Sequence, residues 1–231
     1  MRIVTPSYKI LTPISYNGID ELKAIEKVGR TCYKSEDRIT DDGESAKKFV
    51  AMLIKNGHEA MIEFSTLTVQ FEVDRGVTHE LVRHRLSSFA QESTRYVNYS
   101  LDKNSNEITV VVPSEFEEEI MAGREKVKSE DLDIEDLSQG AVVWIDACED
   151  AQDSYMTMTN ILDYKPEIAR SVLPNSTKAT LNMSANYREW RNIFKLRCDS
   201  HAHPDMRRIM RPLLDELKTK IPVVFDDITY E

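Results

Sequence analysis

Residues 64–85, FSTLTVQFEVDRGVTHELVRHR, change period halfway along. In the first half Leu67, Val69, Phe71 and Val73 alternate with polar residues, the pattern of a strand buried on one face. Asp74 then stands where a helix N-cap belongs. A helix is expected over 75–85, with Val77, Leu81 and His84 on one face and Val82 and Arg85 beside them. A strand feeding a helix with no glycine-rich turn between them sets the frame for the rest of the chain.

Upstream, Tyr8 and Ile10 alternate as in a short strand. Leu22, Ile25 and Val28 predict a helix over 19–31, and Ala46, Phe49, Val50 and Leu53 another over 44–56, closed by Gly57. Downstream, ITVVVP (108–113) predicts a strand and 138–162 a long helix. STKATLNMSA (176–185) alternates Ala179, Leu181 and Met183 as a second clear strand. Helices follow over 186–198 and 204–220, the second opened by Pro204 in its first turn. Strands and helices mix without a regular βαβ beat, which points to an α+β fold in one domain, 1–231. The polar run GREKVKSEDLDIEDLS (123–138) is expected to be a mobile surface loop. No internal repeat, P-loop or GxGxxG cradle occurs.

A length of 231 residues with 41% hydrophobic and 30% charged residues suits a soluble globular chain with a substantial core. The formal net charge of −10 argues against a general nucleic-acid binder or a protein that coats anionic membranes. The start, MRIVTPSYKI, lacks the apolar run of a signal peptide, and no segment has the length of a membrane span. Cys32, Cys148 and Cys198 are odd in number and far apart, so no disulfide framework is expected and a reducing cytoplasm is the default.

Against that acidic background, arginines intrude on apolar faces. Arg83-His84-Arg85 falls at the expected end of the 75–85 helix, where cations favour the helix dipole, and alone it needs no other explanation. The helix 186–198 is harder to dismiss. Arg197 continues the seam of Trp190, Ile193 and Phe194, with Asn186 on the same side, so it either snorkels to water or faces a desolvated anion. Ser88, Gln91, Ser93 and Arg95, bounded by Tyr96, lie in a stretch too polar for a core. They are a solvated loop or a set of donors converging on a phosphate.

RHRLSSFAQESTRY (83–96) resembles the signature RHRxxSxxxxSxRY of the flavin-dependent thymidylate synthases, with Arg83, His84, Arg85, Ser88, Ser93, Arg95 and Tyr96 at the fixed positions. GHEAMIEF (57–64), IARSVLP (168–174), Asn186-Tyr187-Arg188, Asn192, Arg197 and DSHA (199–202) resemble further family elements in the same order. The resemblance implies a single-domain fold with a mixed or antiparallel twisted sheet flanked by helices. It also implies conversion of dUMP to dTMP, with methylenetetrahydrofolate as carbon donor, FAD as redox carrier and NADPH as reductant. The family is homotetrameric, with active sites shared between subunits. By resemblance, His58, Arg83, His84, Arg85, Gln91, Asn186, Arg188 and Asn192 contact FAD. Glu80, Leu81, Val82, Arg83, Gln91, Glu92, Ser93, Thr94, Arg95, Arg170 and Arg197 hold the nucleotide, with Arg197 favouring the ionised N3 of uracil. The chain departs from the family at Ala60, Phe64, Glu80, Ala90 and Gln91.

Three other readings compete. Cys198 invites a nucleophile, but a single cysteine with no paired base in its motif is usually structural. HAHPD (201–205) has the H-x-H look of a metal hydrolase, yet only His58, His79 and His84 remain as further histidine ligands, so no metal is expected. An arginine-rich RNA-binding module would stack bases on Phe89 and Tyr96, against the overall acidity of the chain.

Overall fold

The computed structural model describes all 231 residues. Its regular elements are, in order, β1 (Arg2–Val4), β2 (Ser7–Ile10), α1 (Ile19–Tyr33), α2 (Glu44–Lys55), β3 (Thr66–Asp74), α3 (Arg75–Leu81), β4 (Ser87–Gln91) and β5 (Thr109–Val111). Then come α4 (Glu117–Met121), β6 (Lys126–Lys128), α5 (Gln139–Met156), α6 (Pro166–Ala169), β7 (Lys178–Asn186), α7 (Tyr187–Arg197) and α8 (Pro204–Lys220). The fold is α+β, as expected. β2, β3, β7 and β4 are hydrogen-bonded neighbours in that order.

The chain forms two compact units, each discontinuous in sequence. The first comprises Met1–Ser7, Phe71–Leu81 and Ala90–Leu181, the second Tyr8–Gln70, Val82–Phe89 and Asn182–Glu231. β3 and β7 pass unbroken from one unit into the other.

In the first unit β1 is the centre of a mixed three-stranded sheet. It pairs parallel with β5 (Ile3↔Val110) and antiparallel with β6 (Ile3↔Val127). Ile3, Val110 and Val127 join Ala141, Ile145, Cys148 and Tyr155 of α5 in one apolar core. Ser138 caps α5, its hydroxyl accepting the Ala141 N–H at 3.2 Å. Two expectations change here. The polar run 123–138 contains the registered strand β6, because Val127 is buried between its exposed lysines. The long helix is regular only to Met156 and widens into a π turn over Thr157–Ile161.

In the second unit Thr68 pairs with Ser184 and Gln70 with Asn182 through side chains, each at 3.0 Å, so β3 and β7 run antiparallel. Leu67 and Val69 point inward between these polar residues. Leu22 and Ile25 of α1 and Leu53 of α2 are completely buried. A Cβ on Gly29 would sit 2.5 Å from the Phe49 ring, so this packing needs a residue without a side chain. Gly57 closes α2 at φ +69°, a conformation that other residues adopt only with strain. α7 buries Trp190, Ile193 and Phe194, with Trp190 and Phe194 stacked at 5.5 Å. The Trp190 indole donates to the Leu67 carbonyl at 3.0 Å and so ties α7 to β3.

The stretch after Asp74 departs from expectation. Asp74 does cap α3, its carboxylate accepting the Val77 N–H at 2.9 Å. The helix ends at Leu81, however, and residues 82–86 form turns leading into β4. Arg83, His84 and Arg85 are therefore not in a last helical turn, and the helix dipole does not explain them. Ser87–Gln91 is a strand rather than a loop; β4 ends the four-strand order, and an edge position tolerates polar side chains.

Candidate functional site

The second unit assembles a polar cluster around both ends of α7. Asn186 is the N-cap, its side-chain oxygen accepting the Glu189 N–H at 2.8 Å. At the other end Arg197 closes the helix, and its Nε donates to His84 Nε2 at 3.0 Å. An arginine can only donate, so Nε2 carries the lone pair and the imidazole proton sits on Nδ1. Nδ1 faces the Glu189 carboxylate at 3.4 Å. Burial, and then the Arg197 charge, push the His84 pKa down to about 4, so the ring is neutral near pH 7.

Beside this cluster is a cavity of about 590 Å³ lined by Glu59, Glu63, Leu86, Asn186, Arg188 and Asn192, among others. Arg188 is paired with Glu63 at 2.6 Å and lies 4.0 Å from Glu59. His58 is exposed and its Nδ1 lies 3.0 Å from the Tyr33 hydroxyl. Arg83 and Arg85 are exposed and form no ion pair within the chain. Leu86 and Phe64 expose 76% and 66% of their surface, enough apolar area to cover a flat ring. Unpaired guanidiniums, side-chain amides and exposed apolar groups are the donor set that a dinucleotide with a planar ring system requires, so these residues fit a flavin nucleotide.

The other expected contacts belong to the first unit. Gln91 donates to the Thr78 hydroxyl at 3.0 Å. Glu92 accepts from the Tyr99 hydroxyl at 2.9 Å and from the Thr180 N–H at 3.4 Å, and burial with this carboxylate pushes the Tyr99 phenol up. Ser93 opens a turn, its carbonyl accepting from the Tyr96 and Val97 N–H groups. Arg170 reaches the buried Thr94 hydroxyl at 3.4 Å, and Arg95 lies 3.8 Å from Glu167. Leu81 is fully buried, which leaves only its backbone for a ligand, while Glu80 is half-buried; Val82, also half-buried, belongs to the second unit.

The rival chemistries find little support. Cys198 is 1% exposed, and burial pushes its thiol up to about 12, which makes it a poor nucleophile. His203 accepts the Asp205 N–H at 3.2 Å and caps α8, while His201 pairs with Asp199. No group of three or more His, Cys, Asp or Glu residues is placed to hold a metal. No helix is long and apolar enough to cross a membrane.

Sequence patterns did not reveal Glu189, Glu59, Glu63, Tyr33 or Tyr99. The one available signal was N-x-x-E at 186–189, a capping-box spacing, but it says nothing of where the glutamate turns.

The fold is α+β, and its second unit gathers guanidinium and amide groups around α7. The family described as "Thymidylate synthase complementing protein" matches residues 14–223. A "Flavin-dependent thymidylate synthase" of Corynebacterium aurimucosum is 31% identical over 215 residues, covering 91% of this chain and 81% of that protein. A "Probable flavin-dependent thymidylate synthase" of Mycobacterium phage D29 is 31% identical over 219 residues, covering 92% and 84%. Among solved structures, the UMP/dUMP methylase PolB of Streptomyces cacaoi, with 5-Br dUMP bound, has a TM-score of 0.73 at 22% identity, covering 98% of this chain and 96% of that one. The chain belongs to the flavin-dependent thymidylate synthase family and is a methyltransferase.

Proposed function

We propose that this protein converts dUMP to dTMP by reductive methylation, taking the carbon from methylenetetrahydrofolate, with FAD as redox cofactor and NADPH as reductant. The observation that carries the reading is the bond between His84 of the signature stretch and Arg197, groups 113 residues apart in sequence. Fixing Nε fixes the plane of the guanidinium, and a neutral imidazole does so without adding charge. Uracil N3 loses its proton in water only in about the range of a tyrosine phenol. A guanidinium in a water-poor pocket stabilises such an anion by about 1–3 pKa units. Arginine keeps its proton when desolvated, whereas lysine readily loses it, so Arg197 is suited to activating the ring.

His58, Arg83, Arg85, Gln91, Asn186, Arg188 and Asn192 would hold FAD, together with the main chain at His84, whose ring is committed to Arg197. FAD held there and reduced by NADPH would supply the hydride that reduces the transferred carbon, returning to the oxidised form. Ser93, Thr94, Arg95 and Arg170 would bind the nucleotide phosphate, with Glu80, Leu81, Val82, Arg83, Gln91 and Glu92 along the nucleoside. The catalytic domain is taken as the whole chain, 1–231, since neither unit is contiguous. The exposed Arg83, Arg85, Arg95 and Arg170, and the exposed apolar run Ile161, Leu162, Tyr164 and Ile168, support a homotetramer with shared sites. Three free cysteines are consistent with a reducing cytoplasm.

The purified protein with FAD is expected to show flavin absorbance that NADPH bleaches, and to form dTMP from dUMP and methylenetetrahydrofolate. Arg197→Lys should keep the flavin and lose turnover by about 10–1000-fold, the equivalent of 1–3 pKa units. A colourless preparation that refuses added FAD, or wild-type turnover in Arg197→Lys, would overturn the proposal.

A further inference from the structure

We propose that Glu189 is a positioning residue for the methyl-transfer reaction: it holds the His84 proton on Nδ1 so that Nε2 accepts from Arg197 and orients the guanidinium. This rests on the assignment of Arg197 to the pyrimidine.

The geometry sets two explanations of Glu189 against each other. At the third position of α7, after the cap Asn186, a glutamate usually turns back to the cap's backbone N–H and completes a capping box. Here the carboxylate turns instead toward the imidazole, with Oε1 3.4 Å from His84 Nδ1. Its remaining side-chain contacts, 3.5 and 3.4 Å to the Asn192 amide, are no shorter. The Glu189 side chain is only 7% exposed, so a carboxylate has been taken out of water and given weak partners. Such a group is unfavourable for stability unless well bonded. Its placement is accounted for by what it does to its neighbour: an acceptor opposite Nδ1 selects the tautomer whose other nitrogen is a lone pair. That lone pair meets Arg197 Nε at 3.0 Å. The three side chains thus form a line from the first turn of α7, through His84, back to the last residue of the same helix.

The chemistry predicts opposite signs for stability and activity. Glu189→Leu removes a poorly partnered buried charge, so its Tm should equal or exceed that of the wild type. Its kcat for dUMP methylation should fall by about 10–100-fold, the usual cost of losing a group that orients another, with KM for dUMP changed less. Glu189→Gln keeps an acceptor and should recover most of kcat. Imidazole ¹⁵N NMR of the ligand-free protein gives a readout independent of turnover. His84 should be protonated on Nδ1 in the wild type and in Glu189→Gln, and should lose that preference in Glu189→Leu. A wild-type proton on Nε2 would overturn the inference. So would a Glu189→Leu enzyme with unchanged kcat and unchanged tautomer, or one that loses activity only in proportion to a lowered Tm. Arg197→Ala separates this from failure of the underlying assignment. If that variant turns over at the wild-type rate, the role of Arg197 is wrong; if it is inactive while Glu189→Leu is normal, only the role of Glu189 is.

Discussion

Arg197 and Arg170 carry the same charge, but different things hold them. Arg197 is half-buried at a helix end, with Nε fixed on an imidazole at 3.0 Å. Arg170 is exposed in a short turn and reaches only the Thr94 hydroxyl at 3.4 Å, while Arg95, next to Thr94, stands 53% exposed and 3.8 Å from Glu167. The side chains of the α7 cluster hold one another at short range, whereas those around 93–95 and 170 have few and long contacts. A fixed charge suits activating a ring at one atom. Flexible donors suffice to hold a phosphate, whose oxygens accept from many directions.

The comparison breaks first at Arg191, the most buried charge of α7. It is 1% exposed and donates to both Asp227 oxygens (2.6 and 2.7 Å), to Glu59 (3.2 Å) and to the Val224 carbonyl. Asp227 is held below the usual carboxylate range by this bond. Arg191→Leu strips those partners and should cost about 3–5 kcal/mol in denaturant unfolding. A loss below about 1 kcal/mol would mean that the α7 region is no more pinned than the Arg170 region.

The next effect is one of pH. His84 titrates near 4 when folded, against an ordinary 6.5. Between those values the unfolded chain takes up a proton that the folded chain refuses, so stability falls as pH drops through that window. The loss should be on the order of 3 kcal/mol, most of it present by pH 4, and the corresponding slope should vanish in His84→Gln. Equal slopes in the two proteins would show that the ring is not held neutral.

Arg170→Ala sharpens the contrast from the other side. It should raise KM for dUMP about tenfold, roughly 1.4 kcal/mol of binding, and leave stability within about 0.5 kcal/mol. A stability loss as large as that of Arg191→Leu would erase the distinction. Smallest of all is Cys198→Ala, which should leave turnover unchanged and cost on the order of 1 kcal/mol by opening a small cavity. Loss of turnover with FAD and dUMP still bound would instead make the thiol a participant.

Legibility in the sequence followed burial. Leu67, Val69, Phe71 and Val73, and Ala179, Leu181 and Met183, announced β3 and β7 because each strand buries one face. The α7 seam was equally plain, since Trp190, Ile193 and Phe194 are wholly inside. The end of α3 was not, because Val82 and His84 continue a helical spacing after the helix has stopped at Leu81. β1 and β6 escaped notice at three residues each, too short for alternation to show. β4 hid behind its serines, which an edge strand accepts. The family signature singled out Arg83, His84, Arg85 and Arg95 in sequence. The bond from His84 to Arg197 spans 113 residues and is a product of tertiary packing, so no local pattern announces it.

Because each unit is stitched from three separated pieces of chain, neither can close until its own last piece has been made. Residues 8–70 must wait for 182–231 to leave the ribosome, including Asp227, which clamps Arg191. At about 5–20 residues per second these 231 residues take on the order of 10–50 s to be made. Throughout that time the apolar faces of α1 and α2 lack the final segment of their own unit. Nascent-chain shielding by chaperones, rather than stepwise folding from the N-terminus, is the demand this topology places on the cell.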